Sequence, residues 1–244
     1  IPQASLKGGS GQTLLALSRF QATVGAIGTP RISGNFSTGG RGLPRLTGRM
    51  EQRPGGELVM RARMADYVAG SARFAIPELL VAQAPNGALG FAGEVRLSGP
   101  VPGGSAQGLV LPVDGNWSSA HGIALWRRCV EVRFDRLQLA DLTIDRHAVP
   151  LCPANGTAIV RSGPAGLRVA AGAPSLRLTG RLGGTRVALA SGPVGFAIPG
   201  VVTARRIDVE LGSAQHPSRF AIARLDARIG KDVSGRFEGS GVFL

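Results

Sequence analysis

The one cluster in this chain whose residue types suggest chemistry is His147 with Asp145 and Asp141. Aspartates beside a histidine raise its pKa and can make it a base. A solvated loop accounts for the same three residues. His121, His147 and His216 are scattered, with no second histidine at i+2 or i+4, so no metal site is suggested. No Gly-x-Ser-x-Gly elbow is present. No Gly-Lys-Ser/Thr phosphate loop follows a strand, and no Gly-x-Gly-x-x-Gly opens a helix. The expectation is a protein that is not an enzyme and has no catalytic residues, cofactor or metal.

Cys129 and Cys152 are the only cysteines, and their spacing fits neither a zinc pattern nor Cys-x-x-Cys. They read as one disulfide closing a loop of roughly 22 residues, worth about 3 kcal/mol on the chain-entropy model. Two unpaired buried thiols are the alternative. A disulfide implies the periplasm or the exterior rather than the cytosol.

The net charge is +13, and Lys7 and Lys231 are the only lysines, so Arg supplies nearly all of it. The arginines are spread along the whole chain. Nucleic-acid binders concentrate charge and add aromatics for stacking. Here aromatics are 5% and Tyr67 is the only tyrosine, so no nucleic-acid partner is expected. Two tryptophans and one tyrosine cannot supply the two aromatic girdles of an outer-membrane barrel. No apolar run approaches the roughly 20 residues of a membrane-spanning helix. The chain starts at Ile1 without a visible signal peptide, which reads as a mature domain or a fragment of something longer.

What must position these residues is a set of strands, because the dominant period is two. Leu58, Met60, Ala62 and Met64 alternate with Val59, Arg61, Arg63 and Ala65. Val130, Val132 and Phe134 alternate with Glu131 and Arg133. The same pattern recurs through Phe91, Val95 and Leu97, and again through Ile207, Val209 and Leu211. Such alternation buries one face and solvates the other. Turn signals fall between these runs, as at Thr38-Gly39-Gly40, Pro54-Gly55-Gly56, Pro85-Asn86-Gly87, Pro102-Gly103-Gly104 and Gly183-Gly184. Short strands at this spacing suggest a meander, sandwich, barrel or solenoid. Helical periodicity is weak, with Thr13 to Val24 and Phe134 to Ile144 the best candidates. In the second the alternation slips twice, which suits bulged strands as well as a short helix.

An internal repeat is visible. Arg-Leu-Thr-Gly-Arg occurs at 45–49 and 177–181, and Phe-Ala-Ile-Pro at 74–77 and 196–199. The interval is shorter in the second copy by about one strand. The glycines are expected to end strands where the chain turns. A boundary at Pro150 to Gly156 divides residues 1–150, with a less repetitive region at 112–150, from a second β-repeat segment at 151–244 continuous with the first.

The segments Trp126-Arg127-Arg128-Cys129-Val130-Glu131-Val132 and Val149-Pro150-Leu151-Cys152-Pro153-Ala154-Asn155-Gly156 resemble YdbH-type proteins of alphaproteobacteria, members of the AsmA-like group. The stretch from Leu176 to Gly212 is similar in style to their repeats. The resemblance implies an all-β, extended and repetitive chain with little helix. Its coiled antiparallel sheet would form a groove or open β-solenoid that passes phospholipid between the inner and outer membranes. It also implies a periplasmic segment of a longer parent anchored to the inner membrane. Phospholipid acyl chains would be the ligand, with an outer-membrane lipoprotein or other envelope protein as partner. Membrane contact would be made through parts of the parent outside this chain. The alternatives are a passive structural or adhesive β domain, or a small-anion (dicarboxylate) binding module.

On that reading the period-two apolar set forms one continuous inner surface. It takes in Leu58, Met60, Phe74, Ile76, Phe91, Val95, Leu97, Val187, Leu189, Phe196, Ile198, Ile207, Val209, Phe220 and Ile222.

Overall fold

Every regular element is a strand, and no helix occurs among the described residues. The computed structural model describes residues 3–24, 30–53, 55–101, 103–154, 156–163, 166–198, 200–213, 215–229 and 233–243. Ile1, Pro54, Pro102, Asn155, Pro199 and Lys231 lie outside them. Nineteen strands join in one antiparallel sheet. The chain divides into two units, residues 1–97 with 111–122 and residues 98–110 with 123–244.

The first unit holds β1 (Gln3–Lys7), β2 (Thr13–Val24), β3 (Pro30–Thr38), β4 (Leu46–Gln52), β5 (Leu58–Ala69), β6 (Ala72–Gln83) and most of β7 (Leu89–Val101). β1 to β6 form a meander in which each strand pairs with the next. A turn closed by Ala84 N–H on the Ala88 carbonyl, at 2.8 Å, leads into β7. The register shows why the alternation matters. Ala4, Leu17, Phe36, Gly48, Ala62 and Leu79 stand opposite one another in succession across six strands. Gly34, Met50, Met60 and Val81 make the next row of the same phase. The intervening row reads Ser18, Asn35, Arg49, Arg61 and Leu80. Side chains directly opposite share a face, so one face is apolar and the other mostly polar.

The second unit holds part of β8 (Gly104–Ser118) and of β9 (Gly122–Leu125), with β10 (Val130–Leu139), β11 (Leu142–Pro153), β12 (Val160–Gly163) and β13 (Gly166–Ala173). It continues with β14 (Leu176–Leu182), β15 (Thr185–Ser191), β16 (Val194–Ile198), β17 (Gly200–Gly212), β18 (Pro217–Ile229) and β19 (Val233–Phe243). The pairings close a ring through β11, β13, β16, β17, β15 and β14. This is an interrupted ladder rather than a barrel. β13 and β14 are two halves of one line broken at Pro174–Ser175, and β15 and β16 are halves of another broken at Gly192–Pro193.

The breaks coincide. The registers on either side, Leu176 with Ser191 and Ala173 with Val194, bring Pro174 opposite Pro193. Neither proline has an N–H, so the ladder loses bonds there without orphaning a donor. The Gly192 N–H turns to the Arg205 carbonyl at 2.9 Å. The apolar phase steps by three across this row, from Leu176 to Ala173, Ser191 to Val194, Ile207 to Ala204 and Ile222 to Leu225. Because these neighbouring strands take their extra residue in the same row, partners stay opposite and the apolar side chains stay on one face. Arg206 at φ 52° and Gly239 at φ 64° mark the row in β17 and β19.

The same device explains the slip between Phe134 and Leu137. Phe134 stands opposite His147 and Leu137 opposite Ile144, with Gly108 at φ 59° across from them in β8. Phe134 to Leu139 is therefore strand, and so is Thr13 to Val24, which is β2 and carries a bulge between Ser18 and Gln21. The helical alternatives fail because the neighbouring strands supply every ladder partner.

A correction concerns the repeat glycines. Gly34, Gly48 and Gly180 sit inside β3, β4 and β14, not at strand ends. Each is a point of close approach. A Cβ on Gly48 would run into the Phe36 ring and the Arg61 carbonyl, and one on Gly180 into the Thr143 carbonyl. The first motif copy spans β4 to β6 with β5 between, whereas the second spans adjacent lines, β14 and then β15–β16.

Replacing Gly180 by Ala forces β14 away from β11 and should destabilise the fold by about 3 kcal/mol. Gly183→Ala, at a turn with φ 59° and open space around it, should cost only about 1 kcal/mol. Urea unfolding of both variants checks the order, and equal losses would contradict the close-approach role.

Candidate functional site

The fifteen sequence-selected apolar residues fall on the twelve-residue and thirteen-residue strands β5, β6, β7, β17 and β18 and on the shorter β15 and β16, and the registers decide which of them meet. In the first unit, Met60 lies between Met50 and Val81, Ile76 opposite Met64, and Leu58 between Gln52 and Gln83. Phe74 stands opposite Tyr67, with ring centroids 5.1 Å apart and planes at 69°. The Tyr67 hydroxyl donates to the Gly42 carbonyl, which ties the turn after β3 to this edge-to-face pair. Phe91, Val95 and Leu97 share a phase in β7, where Gly93 lies against the Glu78 and Leu79 backbone.

In the second unit, Leu189, Val209 and Phe220 form one row with Leu178. Ile207 stands opposite Ile222, Val187 opposite Gly180 and Leu211, Phe196 opposite Ala171 and Val202, and Ile198 opposite Val169. Outside the fifteen, the same rows also take in Leu17, Phe36, Met50 and Leu79 in the first unit and Leu178, Leu225 and Phe237 in the second. Around β3 and β4 the apolar phase passes through glycine, which hides the alternation. The Phe36 ring over Gly48 is the contact that the Thr-Gly of the repeat encodes.

These faces are not sealed. Fourteen of the fifteen residues are half-buried or, for Ile207, buried, while Ile198 is 46% exposed. Phe237 in β19 and Leu6 in β1 are exposed at 65% and 60%. Ile159, in the link between β11 and β12, is the largest side chain fully withdrawn from water among the described residues. The chain exposes 15851 Å². Beside the break, an apolar hollow of about 530 Å³ is lined by Pro153, Ala171, Gly172, Val194, Phe196 and Val201.

His147 Nδ1 lies 3.2 Å from the Asp145 backbone carbonyl, not from its carboxylate. The charges around it are paired across strands, with Arg146 on Asp135 at 2.8 Å and Arg136 opposite Asp145. His121 associates with Ser118. No group of three His, Cys, Asp or Glu could hold a metal among the described residues. The Arg224 pKa is raised, first by its hydrogen bond to Asp226 and then by that carboxylate's charge, which is an exposed structural pair.

Cys129 and Cys152 are bonded, with Cα atoms 3.9 Å apart. They stand directly opposite, one step beyond the Val130–Leu151 pair, at the open end of the β10–β11 hairpin. Cys152 also lies opposite Gly172 of β13, so the bond fixes the point where β11 meets the broken line.

A family model described as YdbH-like, intermembrane phospholipid transport protein YdbH, matches residues 2–234. The chain belongs to the YdbH-like family. Compared with curated proteins and with solved structures, it finds no match. The YdbH-like match takes in the first unit and the second as far as residue 234, and so the fifteen apolar residues of both. No helix among the described residues is long and apolar enough to cross a membrane.

Under denaturing, non-reducing conditions the chain should show no titratable thiol. The Cys129→Ser/Cys152→Ser variant should lose about 3 kcal/mol and melt about 6–12 °C lower. Two reactive thiols in the oxidised protein, or an unchanged melting point, would contradict a stapling role for the bond.

Proposed function

We propose that the apolar faces of this chain carry phospholipid acyl chains in transit between the inner and outer membranes. The chain works in the periplasm, as a segment of a parent anchored in the inner membrane, and acts as a binding surface rather than an enzyme. The observation that carries this reading is a broad apolar face, six strands wide in the first unit, whose side chains are only half-buried. Apolar surface left to water costs about 25 cal/mol per Å², and each acyl CH₂ withdrawn from water contributes about 0.8 kcal/mol. Lipid tails therefore offset the cost of the open face without demanding a shaped pocket or a fixed register. Unpolarised contact of this kind lets a chain slide, because neighbouring rows present the same chemistry. The opposite face carries the arginines and keeps the sheet in water. An outer-membrane lipoprotein or other envelope protein would receive the lipid at the far end.

Photocrosslinking amino acids at Phe74 and Phe196 should capture phospholipid in cells, whereas those at Arg177 and Arg228 on the charged phase should not. Phe74→Asp should block passage while its melting point shows that the fold survives. Equal capture at both sets, or none at the two phenylalanines, would sink the acyl-chain reading and leave a passive β domain.

A further inference from the structure

The polar face of the first unit holds a charge arrangement that acyl chains do not use. Arg49 in β4 stands directly opposite Arg61 in β5, and Asn35 stands opposite Arg49 on its other side. Arg63 follows one row on, opposite Thr47, whose hydroxyl accepts from Arg63 Nε at 3.4 Å. Side chains so placed have Cβ atoms about 4.5–5.5 Å apart, and like charges there repel.

Elsewhere the chain supplies counter-charges. Arg219 meets Glu210 at 3.0 Å, Arg53 meets Glu57 at 3.2 Å, and where Arg205 stands opposite Arg224 the latter is held by Asp226. Arg49 and Arg61 have no such partner among the described residues. With Arg63, Asn35, Thr47 and Glu78 they supply the polar lining of an open hollow of about 450 Å³, which Phe36, Gly48, Ala62 and Pro77 complete. Three guanidiniums against one carboxylate leave it positive. The second copy of the repeat does the same with its terminal arginine, since Arg181 stands opposite Arg186.

We propose that this hollow binds a phosphate group, as a monoester or diester, between Arg49 and Arg61. A guanidinium presents two parallel donors that match two phosphate oxygens. Two guanidiniums at cross-strand spacing can share one tetrahedral anion, which removes the repulsion between them. Arg63 and the Asn35 amide supply further donors at the rim, and Glu78 favours a ligand that also carries a hydroxyl or an amine. The site lies on the face opposite the apolar one, so its phosphate is not that of a lipid lying on the same strands. It is either a soluble phosphate or the headgroup of a lipid in a membrane surface, and it does not depend on the acyl-chain reading.

Melting the chain in inorganic phosphate and in chloride of equal ionic strength tests the site. Phosphate should raise the wild-type melting point by about 2–4 °C. Arg49→Gln/Arg61→Gln should lose that rise, yet melt no lower than wild type in chloride because a repelling pair is gone. Arg228→Gln should keep the rise. Flotation with phosphatidylglycerol vesicles separates the sources. Binding that phosphate competes away and the double variant lacks identifies a headgroup, while a phosphate-dependent rise without vesicle binding identifies a soluble ligand. No rise in the wild type, or an equal rise in the double variant, overturns the proposal.

Discussion

A sheet with one apolar face must keep every apolar side chain on the same side of every strand. The side-chain period is two, so a slip of one residue turns a whole strand's set to the wrong face. Long strands also have to bend and twist. A bulge in one strand alone would bend it and shift its register against its neighbour. The second unit meets both demands by placing the extra residues of neighbouring strands together, in one row through Pro174, Pro193, Arg205–Arg206, Ala223–Arg224 and Glu238–Gly239 and in another through Gly108, Asp135 and Arg146. Leu178 and Leu189 before the row, and Ala173 and Val194 after it, remain on a common face. Phase reverses in the sequence so that it need not reverse in space.

The division of the faces follows from that constraint. Two successive residues in each strand of the shared row lie outside the apolar set, which is why the row is rich in charge: Arg205, Arg206, Arg224 and Glu238. Charges can stand there because these four side chains are exposed, and the ion pairs Arg224 with Asp226 and Arg219 with Glu210 are exposed ones of small individual value. Stability then rests on long ladders and on half-buried apolar rows more than on a sealed core. A surface of that kind is suited to a ligand that is itself long and apolar.

The legibility of the fold varied with the purity of the alternation. Leu58 to Met64 and Ile207 to Leu211 could be assigned as strands because arginine, aspartate and glutamate filled the second phase. β3 and β4 were obscure because Gly34 and Gly48 occupy apolar-phase positions, where the space goes to Phe20 and Phe36 from the neighbouring strands. The double slip around Phe134 was visible, but one strand cannot reveal that β8 and β11 slip with it. The ends of the face at Phe237 and Leu6 were missed for a related reason, since a lone apolar residue among serines, glycines and glutamate has no periodicity to announce it. Pairing of Cys129 with Cys152 was open to inference from their isolation. Their position directly opposite at the end of a hairpin was not, because register is a property of two strands.

The glycine of the Arg-Leu-Thr-Gly-Arg motif connects these points. A side chain at Gly48 would collide with the Phe36 ring, and one at Gly180 with the backbone of β11. Both glycines occupy the apolar phase, so each removes a side chain from the face and lets a neighbour close over the gap. The arginine that follows must then point the other way. In both copies it arrives opposite another arginine, Arg61 or Arg186. The motif therefore specifies both faces at once: a filled step in the apolar surface and a paired positive charge behind it. A residue pattern needed only for strand formation would not require the glycine, which weakens a strand interior, nor would it set like charges across a ladder. Its recurrence in two strands of different units favours a surface whose two sides each have work to do.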